Sequence, residues 1–283
     1  MRALPDVWVH RRASGLSHGN LDGDKRADAP PSRWSHVLSV LTRNEFRARY
    51  RAQALGIIWS LLNPLVQMLI LSLIFTRVFH SATANFPVFM LIGVVFWQWV
   101  SSAINASTLS FVGNADVVKR TVFARHLLPL ASLLSYGMNF AMECSLVLVF
   151  VPIFPHAFTL SPALLLLPLV LALLVALLAG IALATSVLNV IYRDVAYLVS
   201  TSLMLLYWLT PIIYPLSIVP EPYAKLLHLN PFGAILIALR GCVMDGVMPD
   251  RLTWIGMTIP TAIILAVGWA IFRHYERMVL DYV

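Results

Sequence analysis

The chain has 283 residues, 59% of them hydrophobic and only 12% charged. Soluble domains carry about 25% charged residues, so composition excludes a soluble fold, and the long apolar runs do not alternate as barrel strands would. The net charge of +7 does not call for nucleic acid, because basic residues at the ends of spans set topology and meet anionic lipid.

Residues 1–33 contain Arg2, Arg11, Arg12, Lys25 and Arg26 but no apolar core. No cleavable signal peptide is expected, and the segment reads as a disordered cytoplasmic tail ending at Pro30-Pro31. Residues 34–54 read as an amphipathic interface helix. Trp34, Val37, Leu38 and Leu41 share one face, and Arg43, Arg47 and Arg51 form an i, i+4 stripe on another. Such a helix lies in the headgroup region or against a partner.

Residues 55–283 form one transmembrane domain in this reading. A spanning helix needs roughly 20 apolar residues. Six are expected, at about 57–76, 88–110, 127–152, 163–190, 195–214 and 252–272, with a break at Pro155-His156 and Ser161-Pro162. Six spans put both termini on one side. Sixteen of the 20 Lys and Arg fall on that face, leaving Arg77, Lys225, Arg240 and Arg251 opposite. The crowded face is cytoplasmic by the positive-inside rule. Residues 215–251 carry five prolines and apolar runs too short to span. Paired short helices dipping into the outer leaflet are expected, with an ordinary external loop as the alternative.

No lysine follows a glycine, so a Walker A nucleotide site is absent. No His-Glu-x-x-His or Cys-x-x-Cys pattern supports a metal site, and the scattered histidines read as solvated or capping. Cys144 and Cys242 lie at different expected depths, which argues against a disulfide. One ionisable residue falls inside a span: Glu143, one turn from Asn139. A transport role and a bond to a neighbouring helix both stay open. The Asn63-Pro64-x-x-Gln67 group reads as a kink with polar glue first, a substrate contact second.

Four segments together resemble the permease subunits of ABC-2 polysaccharide exporters, the family that moves O-antigen, capsule and teichoic acid. They are residues 46–59 followed by Leu62-Asn63-Pro64; residues 114–123 followed by Leu128-Pro129; Tyr192-Arg193-Asp194 through Thr210-Pro211 to Tyr214-Pro215; and Asn230-Pro231-Phe232 followed by Arg240. The likeness covers about residues 34–283. One position departs: Ala124 follows Phe123 where the family usually has proline.

The resemblance implies an inner-membrane half-transporter with no enzyme activity or cofactor of its own. Two copies would form the path for a lipid-linked polysaccharide, and two soluble ATPase subunits would bind ATP and Mg. A coupling helix at about 114–124 would offer Asp116, Lys119, Arg120 and Phe123 to the ATPase, with Arg43 and Arg47 adding contacts there or to membrane lipid. Arg193 and Asp194 would fix the second cytoplasmic loop by pairing locally. Asn230, Pro231, Phe232 and Arg240 would belong to an outer gate at about 215–251. Aromatic rings suit the C–H faces of sugars, and Trp59, Phe96, Trp97, Trp99, Tyr207, Trp208 and Tyr214 are channel-lining candidates. Interfacial anchoring or packing explains each ring equally well. Competing readings are a permease for a small lipid or drug, a membrane-embedded glycan transferase, and a proton-coupled carrier. The last two want clustered or paired acids and histidines, which are absent.

Overall fold

The computed structural model describes residues 31–51, 56–78, 85–120, 123–150, 153–154, 157–220, 223 and 227–282. Most of the expected N-terminal tail and the Pro155-His156 break lie outside these residues. Helices and their connections make up all of the described chain, with no strand among the described residues.

The first helix, α1 (Pro31–Tyr50), begins earlier than the periodicity of 34–54 suggests. Next come α2 (Ile57–Leu73), extended by a π turn to Val78, and α3 (Phe86–Gly113). Asn114 ends α3, its side-chain amide donating to the Ser110 carbonyl, and starts the six-residue α4 (Ala115–Arg120). The helices α5 (Leu127–Phe150) and α6 (Leu167–Ile191, after a 3-10 turn from Pro162) follow, then α7 (Val195–Leu209). The chain closes with α8 (Pro231–Arg240), α9 (Arg251–Tyr275) and α10 (Val279–Tyr282).

Five of these helices are long and apolar enough to cross a membrane: Ile57–Arg77, Phe86–Gly113, Leu127–Phe150, Pro162–Ile191 and Arg251–Tyr275. The expected fifth span at 195–214 is the exception. Its helix, α7, has 15 residues, or about 22 Å at 1.5 Å per residue, short of a ~30 Å hydrocarbon core. Pro211, with no N–H to give, follows directly. The chain beyond continues non-helically to Tyr214 and lies against the first turns of α3.

The bundle is built around α3. Within the apolar windows of the spans, 78% of the residues of α3 are buried and only 17% of those of α2, so α3 is the centre and α2 the rim. Polar bonds pin the centre laterally: Ser107 donates to the Pro129 carbonyl on α5 at 2.9 Å, and Thr108 donates to Thr185 on α6 at 2.8 Å. On α6 and α9, Gly180 and Gly268 face one another. A Cβ on Gly180 would sit 2.7 Å from the Ile264 carbonyl, and one on Gly268 would run into the carbonyl of Gly180. Small residues at such a crossing let two spans approach closely, which suits association without a hydrophobic driving force.

At one end, Phe111, Val118, Leu128, Val187, Phe272 and Val279 form a separate apolar cluster. Arg125 donates to the Glu276 carbonyl there. This end also carries Lys119, Arg193 and Arg273, and is called the basic end below. The opposite end holds α8, which is buried along nearly its whole length, with Phe232 to Leu236 inside the main core. Segment 215–251 is therefore no plain loop.

Candidate functional site

At the end opposite the basic one, two proline motifs distant in sequence become one structure. Asn230 caps α8, its side-chain oxygen accepting from the Phe232 N–H at 3.1 Å. Its amide nitrogen donates to the Leu209 carbonyl at 3.3 Å and to the Thr210 hydroxyl at 3.1 Å. Ten residues on, Arg240 is buried and its guanidinium donates to three backbone carbonyls: Pro211 at 2.5 Å, Ile212 at 2.7 Å and Phe89 at 2.9 Å. The guanidinium carbon lies 3.5 Å from the centre of the Phe89 ring. Space for it exists because residue 93 is glycine: a Cβ there would strike the guanidinium and sit 2.8 Å from the Ile212 carbonyl. One arginine thus satisfies carbonyls freed where α7 stops and ties α8 to α3. Planar, multi-donor guanidinium suits this task better than ammonium.

The expected channel rings divide sharply. Phe96, Trp97 and Trp99 are buried within the protomer. Trp97 meets Tyr207 and Phe232 edge-on, at 5.8 and 5.9 Å, and Trp99 stacks on Phe140 at 4.3 Å. Tyr207 and Tyr214 are half-buried, the Tyr214 hydroxyl donating to the Trp208 carbonyl. Trp59 and Trp208 are exposed, at 57% and 58%. Two surface clefts, of about 290 and 170 Å³, lie between α6 and α9 and between α3, α6 and α7; both are apolar.

At the basic end, Asp116 and Lys119 of α4 are exposed while Val118 is buried in the Phe111–Phe272 cluster. Phe123, expected to be offered to the ATPase, packs partly against the same cluster. The Arg120 side chain and residues 121–122 lie outside the described set. Arg193 and Asp194 are both exposed and do not pair. The one ion pair among the described residues joins Arg273 and Glu276 at 4.0 Å. An exposed pair gains little in water, and the loop is held by Asn189 instead. That buried side chain accepts from the Ala196 N–H at 3.0 Å. His126 is half-buried: it packs edge-on against Trp269 and Phe272, and burial pushes its pKa down.

A contact that hydrophobic periodicity misses fixes α1. Its arginines 43, 47 and 51 are exposed, but Glu45, Arg49 and Tyr50 turn onto α5. Ser132 donates to Glu45 at 2.8 Å, Arg49 donates to Ser135 at 3.1 Å, and the Tyr50 hydroxyl donates to Asn139 at 2.5 Å. Arg49 also covers the Tyr136 ring at 3.4 Å. Burial raises the pKa of Glu45, against the opposing effects of the Ser132 hydrogen bond and Arg49. Asn139 thus bonds a neighbouring helix. Deeper along α5, Glu143 is buried with the Gln98 amide at 3.5 Å. The only signal for this docking was polar spacing at 132, 135 and 139, matched by 45, 49 and 50. Both cysteines are free.

A bundle with five helices able to span and a buried short helix at one end defines a multi-span integral membrane protein. The chain belongs to the ABC-2 type transporter family, whose model matches residues 36–244. It is 32% identical over 242 residues to an O-antigen export system permease protein, RfbA, of Klebsiella pneumoniae, covering 85% of this chain and 92% of that one. Likeness to the RfbA of Myxococcus xanthus is 27% over 241 residues, covering 84% and 91%. The polysialic acid transport protein KpsM of Escherichia coli is 26% identical over 253 residues, covering 86% and 95%.

Proposed function

We propose that this chain is the membrane permease of an ATP-driven exporter that moves a lipid-linked, O-antigen-like polysaccharide across a bacterial cytoplasmic membrane. The observation that carries the reading is the nearly full-length likeness to O-antigen export permeases, 85% of this chain on 92% of the relative. A separate ATPase supplies the energy, since the sequence has no Walker A lysine. Two copies of this chain enclose the path between them, in keeping with the small apolar clefts of the single protomer.

In this reading the basic end is cytoplasmic and α1 lies at that interface. The stretch α7 plus residues 210–214 makes the sixth crossing, part helix and part extended chain. The segment α8 is a re-entrant outer helix whose closure depends on Asn230, Pro231, Phe232 and Arg240. Asp116 and Lys119, with Arg120 beside them, meet the ATPase, and Arg43 and Arg47 add to that contact; Phe123 supports the helix from behind. Of the ring candidates, Trp59 and Trp208 suit the path by exposure.

A deletion strain fractionated for lipid-linked glycan tests the proposal. Polymer trapped inside with a bare surface is expected. Unchanged surface polymer would sink it in favour of a small-lipid permease, and loss of synthesis itself would favour a transferase.

A further inference from the structure

The most exposed span carries chemistry that lipid cannot satisfy. On α2, Pro64, Met68 and Ser72 form the buried stripe, Leu65 and Leu71 pack partly beside it, and ten of the seventeen residues are exposed. Trp59, Asn63 and Gln67 are all exposed and follow at i, i+4 and i+8. Each step of four turns the helix by only about 40°, so the three side chains stand on one face. Gln67 is the central residue of the 21-residue apolar stretch Ile57–Arg77. The ladder therefore reaches the middle of the membrane.

The two amides bond to each other, Gln67 Nε2 donating to Asn63 Oδ1 at 3.1 Å. That bond leaves the Asn63 N–H groups and the Gln67 carbonyl with no partner among the described residues. An amide stranded in hydrocarbon costs about 2–7 kcal/mol. The exposed neighbours Val66 and Ile70, within about 60° of Asn63 around the helix, are suited to lipid, so the amides stand out against their own face.

We infer that Trp59, Asn63 and Gln67 form a ladder of sugar contacts along the export path. The deduction rests on the polysaccharide reading above. The locked amide pair presents a donor and an acceptor side by side, which matches adjacent hydroxyls, each able to give and take a hydrogen bond. The ring one turn away offers its face to sugar C–H groups. Close pairing with α2 of a second copy fits less well. Membrane helix pairs approach through small residues, and this face presents Ile, Leu, Val and Trp.

The test uses the intact transporter, with ATPase subunits unable to hydrolyse ATP so that polymer stalls in transit. A photo-crosslinking benzoylphenylalanine is placed at position 67 or, as control, at Leu69, which lies about 160° away around the helix. Adducts are labelled by periodate oxidation and hydrazide-biotin. Glycan adducts at 67 and none at 69 are expected. In addition, Asn63→Leu with Gln67→Leu should lower surface polysaccharide about tenfold, the scale of one or two lost hydrogen bonds. Membrane level and ATPase co-purification should hold, and Asn63→Gln should retain export. A protein–protein adduct at 67 without glycan, or full export by the double variant, would overturn the ladder. Unchanged surface polymer on deletion of the unsubstituted chain would remove the polysaccharide reading itself, and the ladder with it.

Discussion

Arg240 and Phe89, 151 residues apart, make a double contact: the guanidinium covers the phenylalanine ring at 3.5 Å and donates to the same residue's carbonyl at 2.9 Å. Because it also holds Pro211 and Ile212, this side chain is the shared anchor of three segments. Arg240→Met would strand three carbonyls, and we expect a loss of about 2–4 kcal/mol. The measurement is the Tm of the detergent-solubilised protein. Gly93→Ala should act through the same contact, because its methyl group takes the guanidinium's place. The double variant should then be little worse than either single one. Additive losses would show that Gly93 serves another purpose.

Docking of α1 on α5 should depend on pH through Glu45. Burial raises the folded-state pKa of this carboxyl above the ordinary value. Its contribution is therefore complete below the unfolded pKa and is lost as pH rises through the elevated folded value. Tryptic cleavage at the exposed Arg43 and Arg47 should rise over that window, measured by a pH series of short digests corrected for trypsin's own profile. Glu45→Gln should flatten the dependence. A slope that persists in the glutamine variant would place its origin elsewhere.

The crossing of α6 and α9 at Gly180 and Gly268 leaves no room for a side chain. Gly268→Val should separate the two spans and lower folded yield, with a loss on the order of 2–3 kcal/mol from overpacking. Ala266→Val, on an exposed position of the same helix, should change little. Size-exclusion profiles of the two variants make the comparison.

Surface and packing roles at the basic end can be separated by choice of residue. Asp116 and Lys119 are exposed, whereas Val118 and Phe123 pack inward. Asp116→Lys with Lys119→Glu should abolish ATPase co-purification and leave the Tm within about 0.5 kcal/mol of the parent, as surface changes do. Val118→Asp should instead unfold the cluster, because it buries an unpaired charge. Normal ATPase recovery with the charge-swapped variant would remove α4 from the docking surface.

Much of the membrane character was legible in one dimension. Long apolar stretches with charges at their ends leave no other solvent, and five of the six expected spans occur as long apolar helices. Segment 195–214 was harder, because hydropathy does not register where a helix stops. Thr210-Pro211 ends α7 early, and the apolar residues beyond it continue in another conformation. The aromatic candidates show the same gap. Trp97 and Trp208 look alike by composition, yet one is enclosed by Tyr207 and Phe232 and the other is exposed.

What the sequence by itself determined is the solvent, the helical class, the want of a Walker A lysine and the family likeness. Each follows from residue type and spacing along a line, where burying apolar surface and satisfying backbone bonds dominate. Only the tertiary structure decided partners. Arg240 meets Phe89, Pro211 and Ile212; Glu45 meets Ser132; and Asn189, not Arg193 with Asp194, holds its loop. A side chain's role there depends on which carbonyl, hydroxyl or ring is brought within about 3–4 Å of it, and that distance is set by helix packing across the whole chain.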